Sequence, residues 1–272
     1  MRQSTPRFAT RGFGGVLLAS LFLLSSCQVS PSPPSAPPVE LLKPTVIQSF
    51  PFDKSSFTQG LEAESSDTLL IGTGQKGQSR VYRSTLAGQE LQSSPIDPEI
   101  FGEGITRTDS AIWQLTWKDH QLIQRDVDTL MPVRRLPLPT EGWGICHQES
   151  GIYYSDGSSI VRRLNPDTLT VEEQVNVTQA GQPVPGLNEL ECVGNDIWAN
   201  VFPTHRIVRI DSHTGAVTAS VDASNLLSHA DPDPNNVLNG IAFLPESGHF
   251  LLSGKRWPQL YEVRMDPVSP EN

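Results

Sequence analysis

Five times along this chain a small or polar turn gives way to a short apolar strand. The starts are Gln59-Gly60-Leu61, Glu103-Gly104-Ile105, Trp143-Gly144-Ile145, Asn188-Glu189-Leu190 and Asn239-Gly240-Ile241. A second strand follows each one: Leu69-Leu70-Ile71, Ile112-Trp113-Gln114, Ile152-Tyr153-Tyr154, Ile197-Trp198-Ala199 and Phe250-Leu251-Leu252. A third follows in most copies, as in Arg80-Val81-Tyr82-Arg83, Ile207-Val208-Arg209-Ile210 and Leu260-Tyr261-Glu262-Val263. Turns rich in Asp, Asn, Pro and Gly lead to a fourth, as in Ala216-Val217-Thr218-Ala219. Short alternating strands between dense turn residues, with no long helical period, predict β structure. The only helix predicted is a short one near Ala223 to His229.

The copies start 44, 40, 45 and 51 residues apart. Four strands in each repeat of this length predict an all-β fold, a five-bladed β-propeller with four-stranded antiparallel blades around a central channel. One such sheet cannot bury both faces, whereas a ring of sheets buries each face against a neighbour. Thr45 to Pro51 is expected to add the strand that closes the ring. The propeller is then expected to span 45–266, with 267–272 as a C-terminal tail.

The start of the chain has a different pattern. Arg2, Arg7 and Arg11 precede an uncharged, mostly apolar run from Gly14 to Leu24. A bilayer span needs about 20 apolar residues, so this run fits the core of a secretory signal over 1–26. Leu24-Ser25-Ser26-Cys27 resembles a bacterial lipobox, which makes Cys27 the expected lipidation site. The stretch 27–44 reads as that cysteine and a Pro/Ser-rich tether. The protein is therefore expected to be exported and anchored to a bacterial membrane through its lipid alone, facing the periplasm or the cell surface, and to be a monomer. Gln28, not Asp, follows the cysteine, which favours the outer membrane in a two-membrane cell.

The net charge of −10 becomes −13 once the three leader arginines are removed. Such acidity argues against nucleic-acid binding, which needs basic patches. Cys146 and Cys192 remain in the propeller without a C-x-x-C spacing, so no thiolate metal site is expected. An oxidising compartment permits a disulfide. The two cysteines sit at non-equivalent positions of their repeats, however, so two separate buried thiols are expected. His120, His147, His205, His213, His229 and His249 show no ligand spacing. Trp113, Trp198 and Trp257 read as core, and Asp156 as a turn residue.

In a ring of repeats, equivalent positions converge on the axis. The heads of the first strands are Gln59, Glu103, Trp143, Asn188 and Asn239. A second ring down the next strand comprises Gly74, Trp117, Gly157, Phe202 and Lys255, and Phe57 and Phe101 lie two residues before their heads. Convergent polar groups within aromatic walls predict a site.

These residues lie in motifs that resemble the glutamine cyclotransferase family, the plant and bacterial type of glutaminyl-peptide cyclotransferase. The motifs are Phe57-Thr58-Gln59-Gly60-Leu61, Phe101-Gly102-Glu103-Gly104-Ile105-Thr106, Gln114-Leu115-Thr116-Trp117-Lys118, Glu141-Gly142-Trp143-Gly144, Leu187-Asn188-Glu189-Leu190-Glu191, Trp198-Ala199-Asn200-Val201, Asn236-Val237-Leu238-Asn239-Gly240-Ile241-Ala242 and Gly254-Lys255-Arg256-Trp257-Pro258. The resemblance implies a five-bladed propeller that turns the N-terminal glutamine of peptides into pyroglutamate and releases ammonia. It implies no metal and no cofactor, unlike the zinc-dependent animal enzymes. It implies Glu103 as the proton-transfer carboxylate with Lys255 and Asn188 as partners. It also implies a substrate pocket shaped by Phe57, Gln59, Phe101, Trp117 and Trp143, to which the axial alignment adds Phe202 and Asn239. The family usually carries tryptophan at the place of Phe202, so an indole N–H is absent there. The Ser-Thr-Gly common on the first blade is here Gly72-Thr73-Gly74.

The residue types suit that reaction. Five-membered closure gains from holding amine and amide together. The oxyanion needs donors, and a carboxyl can carry the proton from the amine to the leaving ammonia. Two rival expectations remain open at this level. One is a non-catalytic binding propeller at the cell surface. The other is a calcium-dependent, gluconolactonase-like hydrolase with Glu103, Asn188 and Asn239 as oxygen ligands.

Overall fold

The computed structural model describes residues 38–165, 167–226 and 229–269. Among these residues all regular structure is β, and no helix occurs. Strand β1 (Glu40–Pro51) comes first. Three four-stranded antiparallel sheets follow in chain order. They are β2 (Thr58–Ala63), β3 (Thr68–Thr73), β4 (Arg80–Thr85) and β5 (Glu90–Pro95); then β6 (Gly102–Arg107), β7 (Ile112–Thr116), β8 (Gln121–Arg125) and β9 (Pro132–Pro137); then β10 (Ile145–Gln148), β11 (Gly151–Ser155), β12 (Ile160–Leu164) and β13 (Val171–Asn176). A small hairpin, β14 (Thr178–Gln179) and β15 (Gln182–Pro183), separates them from the rest. The remaining strands are β16 (Leu187–Val193), β17 (Asp196–Val201), β18 (Arg206–Asp211), β19 (Val217–Asp222), β20 (Leu238–Leu244), β21 (His249–Gly254) and β22 (Gln259–Pro267). With β1 they form one sheet in the order β16-β17-β18-β19-β1-β22-β21-β20.

Strand β1 pairs antiparallel with β22 from Leu42 to Pro51 and parallel with β19 from Glu40 to Leu42. The closing strand thus begins at Glu40, so 40–44 are sheet rather than tether. The helix expected near Ala223 is instead a turn, with the Leu226 N–H donating to the Ala223 carbonyl at 3.1 Å. Residues 227 and 228 of that stretch, and the leader and Cys27, lie outside the described residues.

The first strands of the five repeats touch in a closed cycle: β2 with β6, β6 with β10, β10 with β16, β16 with β20, and β20 with β2. The glycine after four of the five heads permits this approach. A Cβ on Gly60 would lie 2.4 Å from the Ile105 nitrogen, and one on Gly144 would lie 1.9 Å from the Asn188 oxygen. The fourth repeat has Glu189 at this place. Its carboxylate reaches across the axis and accepts from the Leu61 N–H at 3.2 Å and the Ile241 N–H at 2.8 Å. Inner-strand N–H groups have no sheet neighbour on the axial side, and a buried donor left unmade is costly.

Apolar clusters fill the spaces between neighbouring sheets, and they include Trp113, Trp198 and Trp257. The first three strands of each repeat are mostly buried, whereas β9 is exposed along nearly its whole length. Asp156 accepts from the Ser158 N–H at 3.1 Å and pairs with Arg162 at 2.6 Å, as a turn residue would.

Cys146 and Cys192 form a disulfide, with Cα atoms 5.4 Å apart, which corrects the expectation of two free thiols. The reason lies in strand geometry. Equivalent positions of neighbouring repeats point the same way round the ring and cannot meet. Cys146 lies three residues after its head and Cys192 four after its own. Successive strand side chains face opposite ways, so this offset of one turns the two sulfurs towards each other.

Candidate active site

Four of the five head residues sit on a break in strand register, and only Trp143, ahead of the regular β10–β11 ladder, does not. The β2–β3, β6–β7, β16–β17 and β20–β21 ladders shift at Thr58/Gly60, Gly102/Ile105, Leu187/Leu190 and Leu238/Ile241. A bulge re-aims a side chain that regular pleating would send into the next sheet. Gln59, Glu103 and Asn188 thereby line one pocket of about 390 Å3. That volume suits a small ligand group.

Aromatic rings form the wall. Phe57 meets Phe101 edge-on at 6.1 Å between centroids, and Phe101 meets Trp117 at 5.4 Å. Trp143 meets Phe202 at 5.9 Å. Two charged groups join these arcs. Glu141 Oε2 accepts from Trp117 Nε1 at 2.8 Å and from Trp143 Nε1 at 3.1 Å. Lys255 Nζ lies 5.1 Å from the Phe57 ring centre and 4.9 Å from that of Phe202. Five rings, one carboxylate and one ammonium thus form a closed circuit around the pocket. Gly74 leaves room for Phe101, and Gly157 leaves room for Trp143; a Cβ at these sites would come within 2.5 and 2.7 Å of the rings. Phe202 keeps both the edge contact and the cation–π contact, so an indole at this place is not needed to complete the circuit.

The electrostatics follow from burial. Glu103 and Lys255 are 5% and 6% exposed. Desolvation pushes the Glu103 carboxyl well above the usual carboxylate range; the Lys255 charge opposes this and the Glu141 charge adds to it. Desolvation likewise lowers Lys255, which the Glu103 charge partly counters. Each therefore sits closer to its neutral form than in water.

Nine of the ten residues expected in the pocket line it: Phe57, Gln59, Phe101, Glu103, Trp117, Trp143, Asn188, Phe202 and Lys255. Asn239 does not. Its Nδ2 donates to the Thr58 carbonyl at 2.9 Å and to Gln59 Oε1 at 3.1 Å. It orients Gln59 from behind, leaving the Gln59 amide to donate. Gln75, Asp233, Asn235 and Arg256 also line the pocket and had no part in the expected site. Arg256 adjoins Lys255 and Gln75 adjoins Gly74, but both turn inward through irregular backbone. Asp233 and Asn235 belong to a Pro/Asn/Asp loop without strand periodicity. Among the described residues no group of three or more His, Cys, Asp or Glu side chains is arranged to hold a metal ion.

Fold and pocket define an all-β protein with an axial acid–ammonium pocket built to enclose a small polar group. The chain belongs to the glutamine cyclotransferase family, whose model matches residues 18–265. It is 32% identical over 232 residues to a glutaminyl-peptide cyclotransferase of Arabidopsis thaliana, covering 84% of this chain and 72% of that one. The crystal structure of Myxococcus xanthus glutaminyl cyclase superposes with a TM-score of 0.80 at 31% identity. The match covers 85% of this chain and all of that structure.

Proposed function

We propose that this protein converts the N-terminal glutamine of peptides and proteins into pyroglutamate with release of ammonia, and that its fold is a five-bladed β-propeller. The observation that carries the activity is the buried Glu103 carboxyl sharing one aromatic pocket with the buried Lys255 ammonium, in a member of the glutamine cyclotransferase family. The propeller reading rests on the closed cycle of first strands. The eight-stranded sheet then divides into two blades, β16–β19 and β20–β22 with β1 outermost.

The neutral α-amine attacks the side-chain Cδ of the same residue, forming the ring C–N bond. The oxyanion gains donors from Lys255 and the Asn188 carboxamide. Glu103, ionised, takes one proton from the attacking amine. It returns that proton to the side-chain nitrogen as the old C–N bond breaks, and ammonia leaves. One carboxyl serves as base and then acid, and a carboxyl raised towards neutrality is suited to both. Phe57, Phe101, Trp117, Trp143 and Phe202 enclose the folded glutamine, and Gln59, held by Asn239, donates to it. The calcium reading loses support because Asn239, one of its three ligands, is engaged behind Gln59.

The leader pattern and Cys27 support an exported lipoprotein held at a membrane through its lipid. Labelling with radioactive palmitate, lost in Cys27→Ser, tests the anchor. For the activity, Glu103→Gln is expected to lower kcat by about 10²–10⁴-fold while leaving fold and substrate binding. Ammonia release from a Gln-initiated dipeptide measures this. Full activity in the variant sinks the role of Glu103.

A further inference from the structure

At the mouth of the pocket two residues other than glycine adopt left-handed backbone, Gln75 with φ 82° and Arg256 with φ 59°. Such conformations are unfavourable for most residues, and they collect at ligand clamps. Here the two belong to different repeats and are bonded to each other. Arg256 Nη2 donates to Gln75 Oε1 at 2.8 Å. Backbone bonds pin both turns. The Arg256 N–H donates to the Ser56 carbonyl at 2.8 Å, and the Gln75 carbonyl accepts from the Ser79 N–H at 2.8 Å. The guanidinium also stands over Phe57, with its carbon 5.1 Å from the ring centre. It is thus fixed at the rim of the same ring that Lys255 faces within.

Its donors are not used up. Nη1 has only long contacts, 3.5 Å to Asn236 Oδ1 and 3.6 Å to Asp233 Oδ2. The side chain is 33% exposed and lines the pocket. A glutamine whose side chain and amine occupy the pocket must send the rest of its peptide out past this rim.

We propose that Arg256, braced by Gln75, forms a subsite for the residue that follows the N-terminal glutamine and selects an acidic side chain there. The proposal rests on the cyclase reading. A carboxylate at this point replaces two long contacts with a charge-assisted hydrogen bond from Nη1. Asp233 stands on the same rim with the opposite charge. It repels an acidic residue and limits the preference, while Lys255 deeper in the pocket adds to the attraction. A half-exposed pair of this kind is worth up to about fivefold in affinity.

The test uses the whole protein and three amidated peptides, Gln-Glu-Ala, Gln-Ala-Ala and Gln-Lys-Ala, with ammonia release as readout. The expected order of kcat/KM is Glu above Ala above Lys, about fivefold between the first two, and compressed by 0.5 M salt. In Arg256→Ala the Glu-to-Ala ratio is expected to fall to about one through KM, and Arg256→Lys is expected to restore part of it. Cyclisation in the unmodified protein that ignores the second residue's charge overturns the subsite alone, as does an unchanged ratio in Arg256→Ala. No ammonia from any peptide overturns the cyclase reading and the subsite with it.

Discussion

Glu141 governs the pocket without forming part of its cavity lining. One of its oxygens accepts both indole N–H groups, from Trp117 on one repeat and Trp143 on the next. Its charge also faces Glu103 and helps hold that carboxyl protonated. Substitution by glutamine keeps an oxygen for the indoles and removes the charge. The ionised form of Glu103 is then favoured, so the acid limb of kcat/KM is expected to move to lower pH in Glu141→Gln. The substrate amine adds the same limb in both proteins, so the comparison isolates Glu103. A profile unchanged by the substitution would show that the two carboxyls do not interact. Glu103, Lys255 and Asn188 were legible in the sequence because the repeats align them on an axis. Glu141 lies in the Glu141-Gly142-Trp143-Gly144 motif but off that axis, and alignment says nothing about an acceptor shared between two repeats. Asn239 lies on the axis, yet its carboxamide turns towards Thr58. Position in a repeat fixes where a backbone runs, and the hydrogen bonds of the neighbouring strand decide where a carboxamide points.

Among elements, the register breaks do most to build the site. The strand periods predicted where β2, β6, β16 and β20 lie, but a regular alternation would face Gln59, Glu103 and Asn188 differently. The breaks enclose Gln59, Glu103 and Asn188, where inner strands pack too closely for ordinary pleating. That closeness depends on the partner strand, which no local pattern records. The same one-residue arithmetic explains the disulfide, which fastens β10 to β16 across two repeats. Closing a loop of this size is worth roughly 2–4 kcal/mol. The paired change Cys146→Ser with Cys192→Ser is therefore expected to lower the denaturant midpoint by an amount corresponding to roughly 2–4 kcal/mol. Reduction of the unmodified protein should give the same loss. Since neither sulfur touches the pocket, kcat/KM measured well below the midpoint should hold.

At the scale of the molecule, strands that each belong to one repeat are tied to other repeats by carboxyls. Glu189 on β16 accepts from β2 and β20, Glu191 on β16 accepts from the Phe243 N–H at 2.9 Å, and Glu62 on β2 accepts from the Arg107 N–H at 2.8 Å. The price of this arrangement is like charge in a confined space. Burial, with the Glu64 charge adding, pushes Glu62 up to about 7, although part of the residue stays open to solvent. Burial and neighbouring carboxyls push Glu189 and Glu191 well above the usual range. The folded protein therefore holds protons that the unfolded chain has released. From about pH 4.5, where an unfolded glutamate titrates, stability falls as pH rises through about 7 and continues to fall as the other two ionise. This runs opposite to the acid denaturation of a protein held by ionised surface pairs. Thermal midpoints measured at low buffer concentration should drop between pH 5 and 8. Glu62→Gln keeps an acceptor for Arg107 and removes the titration, so its curve should be flatter over that interval and lie above the unmodified protein at pH 8. A midpoint that rises with pH in both proteins would mean that these carboxyls are already ionised in the folded protein and that burial does not hold them protonated.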